Sequence, residues 1–259
     1  MFNRTYLRVS MVTLLVIVGA GVARAADKDD ALAAVKKLAD APNYSWSTAV
    51  VGGRGNQTPV DYKTEKGGYT TFTITGQDGG TNDIVMKGDK AVAKTEGWKT
   101  TAELQKALDD AGGGFGPEMI TLIRIGNFAA PADQAKALLD KATTIKKDGD
   151  AYTADLVAAS ATDLLTLKMP GGAQSPFGTM AVKDAKGTLK IWVKDGVMSK
   201  MEVHLTGTRN FNDQDTPVDQ TTTATIKDVG TTKIAVGDDA KKKLAEAATK
   251  PATAPAAKP

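Results

Sequence analysis

The sequence predicts an α+β domain with an antiparallel sheet, and three observations predict this fold class. Runs rich in β-branched and aromatic residues alternate in hydrophobicity, which is typical of strands. Short turns separate these runs, so neighbouring strands are expected to pair as hairpins. Segments with helical periodicity lie at the ends and in the middle of the chain instead of between successive strands. A doubly wound parallel sheet would require a helix between each strand and the next.

The first 25 residues predict a signal peptide. Arg4 and Arg8 precede an apolar run, and Ala23-Arg24-Ala25 then has the small-x-small pattern of a signal-peptidase site. The apolar run is shorter than the roughly 20 residues that span a bilayer. Cleavage near Ala25 therefore predicts an extracytoplasmic protein, periplasmic or secreted. The length of the remaining chain predicts a single domain over residues 26–248.

The charge and composition of the remaining chain exclude several kinds of partner. The full chain has 33 Lys+Arg and 30 Asp+Glu, and residues 1–25 contain three arginines and no acid, so the cations and anions that follow are equal in number. This balance predicts no nucleic-acid partner and at most transient membrane contact. The chain contains no cysteine, which excludes disulfides and a lipid-modified cysteine. Residues 249–259 are rich in Pro and Ala and predict a disordered tail.

The domain is expected to begin with an amphipathic helix that ends before Pro42. Its apolar stripe consists of Ala31, Leu32, Val35, Leu38 and Ala39. The stretch "VDYKTEKGGYTTFTITG" then predicts strands in which Phe72 and Ile74 share one face. Further strands turn at Gly88-Asp89, and the sequence from Thr100 to Glu103 has the capping-box pattern of a helix start.

The middle of the chain is predicted to be helical. A helix beginning at Pro117 has apolar side chains nearly all round: Met119, Ile120, Leu122, Ile123 and Ile125. Such a helix is either buried on most sides or lies against something apolar. A second helix begins at Pro131, a strand pair turns at Asp148-Gly149, and Ser160 opens a short helix.

The stretch "GTLKIWVKDGVMSKMEVHLTGT" predicts two strands joined at Asp195-Gly196. One face of this hairpin is apolar and is formed by Leu189, Ile191, Val193, Met201, Val203 and Leu205. The other face is expected to be solvated and carries Lys190, Trp192, Glu202 and His204. One or two more strands and a closing helix follow, which gives about eight or nine strands and five helices in all.

The order of these elements and two phrases in the chain resemble a known group of proteins. The phrases are "GDKAVAKTEGWKTTAEL" and "LKIWVKDGVMSKMEV". They are similar to the LolA-like group of bacterial extracytoplasmic proteins, which includes lipoprotein carriers and LppX-like lipid-binding proteins. The resemblance covers most of residues 28–248. It implies a strongly curved antiparallel sheet, a half-barrel, with helices packed in its concavity and with a lipid or lipoprotein as partner.

The residue types argue against catalysis. One histidine and no cysteine exclude zinc sites built from those ligands. His204 lies within a predicted strand among charged residues and is expected to be solvated, not part of a Ser-His-Asp triad. The acidic run Asp213, Asp215 and Asp219 offers oxygens for calcium but lacks the EF-hand pattern. We therefore predict no enzyme activity, no metal and no cofactor.

Two hypotheses about function fit the sequence. In the first, the protein is an exported non-enzymatic binder of a lipid, acyl chain or lipoprotein in an apolar cavity. The candidate lining residues are Phe72, Ile74, Ile120, Ile123, Leu189, Ile191, Val193, Met201, Val203 and Leu205. In the second, it is an envelope scaffold or interaction protein whose core is filled and holds no ligand. The oligomeric state is open under both hypotheses.

Overall fold

The computed structural model describes residues 19–53, 57–76, 79–114, 116–170, 181–211 and 214–247. Most of the predicted signal peptide, Asp213 and the predicted tail lie outside these ranges. The cleavage site and the disorder of the tail therefore stay predictions.

The described chain forms six helices and eleven strands. The helices are α1 Gly19–Asp40, α2 Thr101–Asp110, α3 Pro117–Gly126, α4 Pro131–Lys141, α5 Ala158–Leu165 and α6 Asp238–Glu246. The strands are β1 Asn43–Gly52, β2 Gln57–Glu65, β3 Thr70–Thr75, β4 Thr81–Lys87, β5 Lys90–Lys94, β6 Trp98–Thr100, β7 Ile145–Asp148, β8 Ala151–Asp155, β9 Ala181–Lys194, β10 Val197–Phe211 and β11 Gln214–Lys227. Both counts exceed the sequence prediction. Strand β6 is only three residues long, and strands as short as this are hard to predict from sequence.

All eleven strands belong to one antiparallel sheet in the order β6-β5-β4-β3-β2-β1-β11-β10-β9-β8-β7. The first and last strands of the chain, β1 and β11, pair at its centre, with Trp46 opposite Ile226. The two edge strands, β6 and β7, lie at opposite ends of this order, so the sheet is open. This arrangement confirms the predicted α+β class and the half-barrel of antiparallel strands with helices packed against it.

One face of the sheet carries most of the apolar side chains, and we call it the inner face. Across five neighbouring strands it includes Trp46, Tyr62, Phe72, Ile84 and Ala93, which lie opposite one another in register. The same alternation continues through β11, β10, β9 and β8 on the other side of β1. Because side chains alternate along each strand, the residues between these lie on the opposite, outer face.

Two groups of helices cover the inner face. Helices α1, α4 and α5 pack over β8–β11 in one apolar cluster, whereas α2 and α3 pack over β3–β5 in another. Helix α6 lies on the outer face, where Ala240 and Leu244 contact Val85 and Val92. The inner-face coverage therefore divides the molecule into two halves.

The predicted stripe of α1 is correct at three positions and wrong at one. Ala31, Val35 and Leu38 are buried and Leu32 is half-buried. Ala39 is exposed, and Ala34 is buried on the stripe instead. Position 34 lies three residues after Ala31 and four before Leu38, so it satisfies the helical period that places side chains on one face.

The turn and cap signals in the sequence are largely confirmed. The β9–β10 hairpin turns at Asp195 and Gly196, which have φ of 55° and 73° and so adopt the left-handed conformation that tight hairpins require. Thr100 caps α2: its hydroxyl accepts from the Glu103 backbone N–H, and the Glu103 carboxylate accepts from the Thr100 backbone N–H. Helix α5 begins at Ala158, two residues before the predicted Ser160, which lies inside the helix.

Candidate functional site

A cleft of about 870 Å³ opens between β3–β4, the β5–β6 turn and the start of α3. Its lining residues are Ile74, Gly76, Gly80, Thr81, Asn82, Thr95, Glu96, Lys99, Gly116, Pro117, Glu118 and Ile120. Ligand sites for small molecules have volumes of roughly 300–1,000 Å³. Two of the ten residues predicted to line a ligand cavity, Ile74 and Ile120, are among the lining residues of this cleft.

Two large apolar residues line the cleft. Ile74 lies on the inner face of β3 and is buried, while Ile120 lies on α3 and is half-buried. Both belong to the apolar cluster under α2 and α3, which also contains Ile84 and Ile125. The apolar part of the cleft lining is therefore continuous with the apolar cluster under α2 and α3.

The other lining residues are mostly polar, and the charged ones carry both signs of charge. The Lys99 Nζ lies 4.0 Å from the Glu118 Oε1, with 29% and 28% of the two side chains exposed. That separation is too long for a direct hydrogen bond. The Thr95 hydroxyl is buried and has no hydrogen-bond partner among the residues that the structure describes. The lining of the cleft thus combines apolar residues with polar groups whose hydrogen-bonding capacity is not satisfied by the described residues.

A hydrogen-bond chain fixes α3 beside the cleft. The Asn82 side-chain amide donates to the Thr121 hydroxyl at 3.1 Å, and that hydroxyl donates to the Pro117 carbonyl at 2.7 Å. Thr121 is fully buried. Sequence reasoning missed this link, although a lone threonine within an apolar helix was a signal that a polar partner lies nearby.

The remaining predicted lining residues lie elsewhere on the inner face. Phe72 is buried in the apolar cluster beneath α2 and α3, and Ile123 is half-buried on α3. The hairpin residues lie in the other cluster, under α1, α4 and α5. These are Leu189, Ile191, Met201, Val203 and Leu205, which are at most 3% exposed, and the partly buried Val193. The structure therefore places the strand residues of the predicted set on one face of the sheet in two groups, and Ile120 and Ile123 on helix α3.

Four aromatic rings join the two halves. Trp46 and Tyr62 stack with centroids 4.8 Å apart, and Phe72 and Phe128 stack at 5.8 Å. Tyr62 and Phe72 connect the two stacks at 4.8 Å. Burial raises the pKa of Tyr62, with the Arg124 charge acting in the opposite direction. Tyr62 is therefore neutral at ordinary pH and serves as part of the apolar surface.

The outer face carries the charged residues that the sequence placed there. The His204 Nε2 lies 2.8 Å from the Asp219 Oδ1, and both side chains are well exposed. Trp192 lies between two lysine ammonium groups, with Lys200 4.0 Å and Lys190 4.9 Å from the ring centroid. The described part of the chain contains no group of three or more His, Cys, Asp or Glu residues that could hold a metal.

Asp215, one member of the acidic run, accepts hydrogen bonds from protein groups. The Asn210 amide donates to it at 2.7 Å, and the Lys183 Nζ lies 3.5 Å away. The Asn210 hydrogen bond, together with the Lys183 charge, lowers the pKa of this carboxyl. Asp219, the other described member, pairs with His204 instead. The structure thus engages Asp215 and Asp219 with separate partners.

Comparisons with known proteins add a likeness of fold. No family model and no curated protein matches the chain. Among solved structures, lipoprotein LppX of Mycobacterium tuberculosis is 11% identical, with a TM-score of 0.42 over 82% of this chain and 99% of that one. LprF of Mycobacterium bovis is 12% identical, with a TM-score of 0.43 over 83% and 98%. A LolA superfamily protein of Nitrosomonas europaea is 12% identical, with a TM-score of 0.33 over 83% and 96%.

These similarities agree with the resemblance that the sequence indicates. Their identities and TM-scores carry no conclusion about a ligand or an activity.

Proposed function

We propose that this protein is an exported, non-enzymatic binder of a lipid or acyl chain, which it holds in the cleft between β3–β6 and α3. The observation that carries the proposal is the composition of the cleft: its lining combines Ile74 and Ile120, which belong to a buried apolar cluster, with charged and polar residues. Such a site fits a ligand with an apolar chain and a polar end.

The volume of the cleft is compatible with an acyl-chain ligand. Each methylene group transferred from water to an apolar surface contributes about 0.8 kcal/mol. Micromolar binding requires roughly 8 kcal/mol, which corresponds to about ten buried methylene groups before the entropy cost of binding. A cleft of about 870 Å³ lies within the volume range of sites that bury most of such a ligand.

Export is the second part of the proposal. It is supported by Arg4 and Arg8 ahead of the apolar run, and by Ala23-Arg24-Ala25 at its end. No helix within the described ranges is long and apolar enough to cross a membrane. We expect the mature protein to begin at Ala26 or Asp27. Intact-mass measurement of protein recovered from outside the cytoplasm tests this, and retention of residues 1–25 would contradict it.

A scaffold role is the alternative, and the packing of the β8–β11 half favours it. There the predicted lining residues contact the protein's own helices α1, α4 and α5. Under this alternative the cleft is a surface feature and holds no apolar ligand.

A matched pair of substitutions on α3 tests the binding proposal. Ile120 lines the cleft, whereas Ile123 is half-buried on the same helix and is not among the lining residues. The probe is N-phenylnaphthylamine, whose fluorescence rises in an apolar site. Ile120→Ala removes apolar contact area and is expected to weaken probe binding about tenfold. Ile123→Ala is expected to leave probe binding unchanged.

Two results would contradict the proposal. One is the absence of saturable probe binding to the wild-type protein. The other is equal weakening by both substitutions, which would place the probe away from the cleft. Native mass spectrometry of protein from its own compartment then identifies any lipid that purifies with it.

A further inference from the structure

Two lining residues of opposite charge, Lys99 and Glu118, have unused hydrogen-bonding capacity. A lysine ammonium has three N–H donors and a carboxylate has two acceptor oxygens. The Lys99 Nζ and Glu118 Oε1 are 4.0 Å apart, and neither side chain has a hydrogen bond within the described ranges. Both side chains are largely but not fully covered. A ligand group placed between them could satisfy both.

The charge of that ligand group is restricted by the pair. An anion that binds Lys99 would lie beside the Glu118 carboxylate, and a cation that binds Glu118 would lie beside the Lys99 ammonium. Partial burial weakens the screening of such like-charge repulsion. A hydroxyl group avoids both penalties, because its oxygen accepts from Lys99 while its O–H donates to Glu118.

Two neighbouring groups agree with a hydroxyl-bearing ligand. Thr95 also lines the cleft, and its buried hydroxyl has no hydrogen-bond partner among the described residues. A hydroxyl can donate to or accept from a second hydroxyl, and it can donate to an ester oxygen. Glu96 adds a further negative charge at the rim, but its side chain is exposed and its charge is therefore better screened by solvent.

We infer that the cleft selects amphiphiles with a neutral, hydroxyl-bearing headgroup, such as a glycerol ester, over carboxylates or amines of the same chain length. This inference rests on the proposed function and adds to it the chemistry of the headgroup. Lys99 and Glu118 are the residues that determine the selection, and Ile74 and Ile120 contact the chain.

Three probes of equal chain length test the selection. Near neutral pH, monolaurin is uncharged, lauric acid is anionic and laurylamine is cationic. Their affinities are measured by displacement of N-phenylnaphthylamine from the full mature protein, below the concentrations at which they form micelles. We expect monolaurin to bind about tenfold more tightly than either charged probe, because each charged probe meets one like charge.

Two substitutions are expected to change the order in opposite directions. Glu118→Gln removes the charge that repels lauric acid, so lauric acid gains about tenfold in affinity while laurylamine gains none. Lys99→Met has the reverse effect and favours laurylamine. Lys106→Met is the matched control, because Lys106 pairs with Asp110 on α2 and does not line the cleft. It is expected to leave the order unchanged.

The outcomes separate the two claims. If the three probes bind equally to the wild-type protein, or if neither substitution changes their order, the headgroup inference is wrong and the proposed function stands. If the dye and all three probes fail to bind, the proposed function is wrong and the inference is overturned with it. Melting temperatures of the variants identify any that are unfolded, and for those Lys99→Gln and Glu118→Ala, which also remove the charge, are used in the same measurement.

Discussion

Both halves of the inner face have strands whose apolar side chains alternate in the same way, but one half is a packed core and the other borders a cleft. In the packed half, formed by β8–β11 with α1, α4 and α5, Leu189 and Ile191 are fully buried against the helices. In the cleft half, formed by β3–β6 with α2 and α3, Ile120 is only half-buried and a cleft of about 870 Å³ remains. The number of helices that cover each half accounts for this difference.

This comparison shows that an apolar strand face does not by itself distinguish a core from a binding site. Phe72 and Ile74 alternate on β3 in the same way as Leu189 and Ile191 do on β9. Three helices complete the core in one half, whereas two helices cover the other half and Ile120 of α3 stays half-buried there. Unfilled space beside apolar residues is what permits a ligand.

The largest expected effect is on the stability of the packed half. Ile191→Ala should lower the free energy of unfolding by roughly 2–5 kcal/mol, because it leaves a cavity in a fully packed core. Chemical denaturation measures this change. Lys190→Ala is the control: its side chain lies on the outer face near Trp192 and should cost less than about 1 kcal/mol. Equal small effects at both positions would show that the assigned facing of β9 is wrong.

The next effect should be confined to the cleft half. Thr100→Ala removes the side-chain acceptor of the α2 capping box, which typically costs about 1 kcal/mol. We expect faster hydrogen exchange of the α2 amides and unchanged exchange in β10. Thr101→Ala, one residue later, lacks the capping role and serves as the control. A uniform increase across both halves would indicate that they do not open separately.

A smaller effect follows from the Glu103 carboxylate. Two hydrogen bonds lower the pKa of Glu103 from 4.5 to about 2. The larger effect comes from the Lys243 side chain and the next from the Thr100 backbone N–H. Because the folded-state pKa is the lower one, this group stabilises the fold above about pH 4.5. That contribution is lost as the pH falls towards about 2.

The size of this acid effect is limited by solvent. The Glu103 side chain is nearly half exposed, so its contribution should be below about 1 kcal/mol. Glu103→Gln should flatten the pH dependence of stability between about pH 5 and 2, measured by denaturation at fixed pH values. An identical pH dependence in the wild-type and variant proteins would contradict the assigned role of Lys243.

The smallest effects should be the same in both halves. Lys106–Asp110 on α2 and Lys136–Asp140 on α4 are exposed ion pairs, each with a separation of 2.6 Å. Lys106→Met and Lys136→Met should each change stability by at most about 0.5 kcal/mol, as expected for such pairs on a helix surface. A large difference between them in thermal melting would mean that the halves differ in surface electrostatics as well as in packing.

Much of the fold could be predicted from local chemistry. Asp195-Gly196 supplies the two left-handed residues of a tight turn, Pro117 and Pro131 begin helices, and Thr100 with Glu103 forms a capping box. These signals involve residues close together in the chain, and so sequence reasoning finds them. The alternation of the hairpin strands likewise predicts which side chains of β9 and β10 are buried.

The site was harder to predict because it depends on distant contacts. Lys99 and Glu118 meet only after β6 and α3 have been placed, and Asn82 on β4 reaches Thr121 on α3. Ile191 and Ile120 are equally apolar in sequence. Their different burial depends on how the helices and the sheet pack against each other, and hydrophobic periodicity does not report that.

A crossed measurement on Ile191→Ala and Ile120→Ala distinguishes the packed core from the cleft, because it records stability and N-phenylnaphthylamine affinity for the same two proteins. We expect Ile191→Ala to lose roughly 2–5 kcal/mol of stability and, while folded, to retain wild-type probe affinity. We expect Ile120→Ala to lose about 1 kcal/mol or less and to bind the probe about tenfold more weakly. Loss of probe affinity in Ile191→Ala with wild-type affinity in Ile120→Ala would show that the ligand lies under β9 and β10 and not in the cleft.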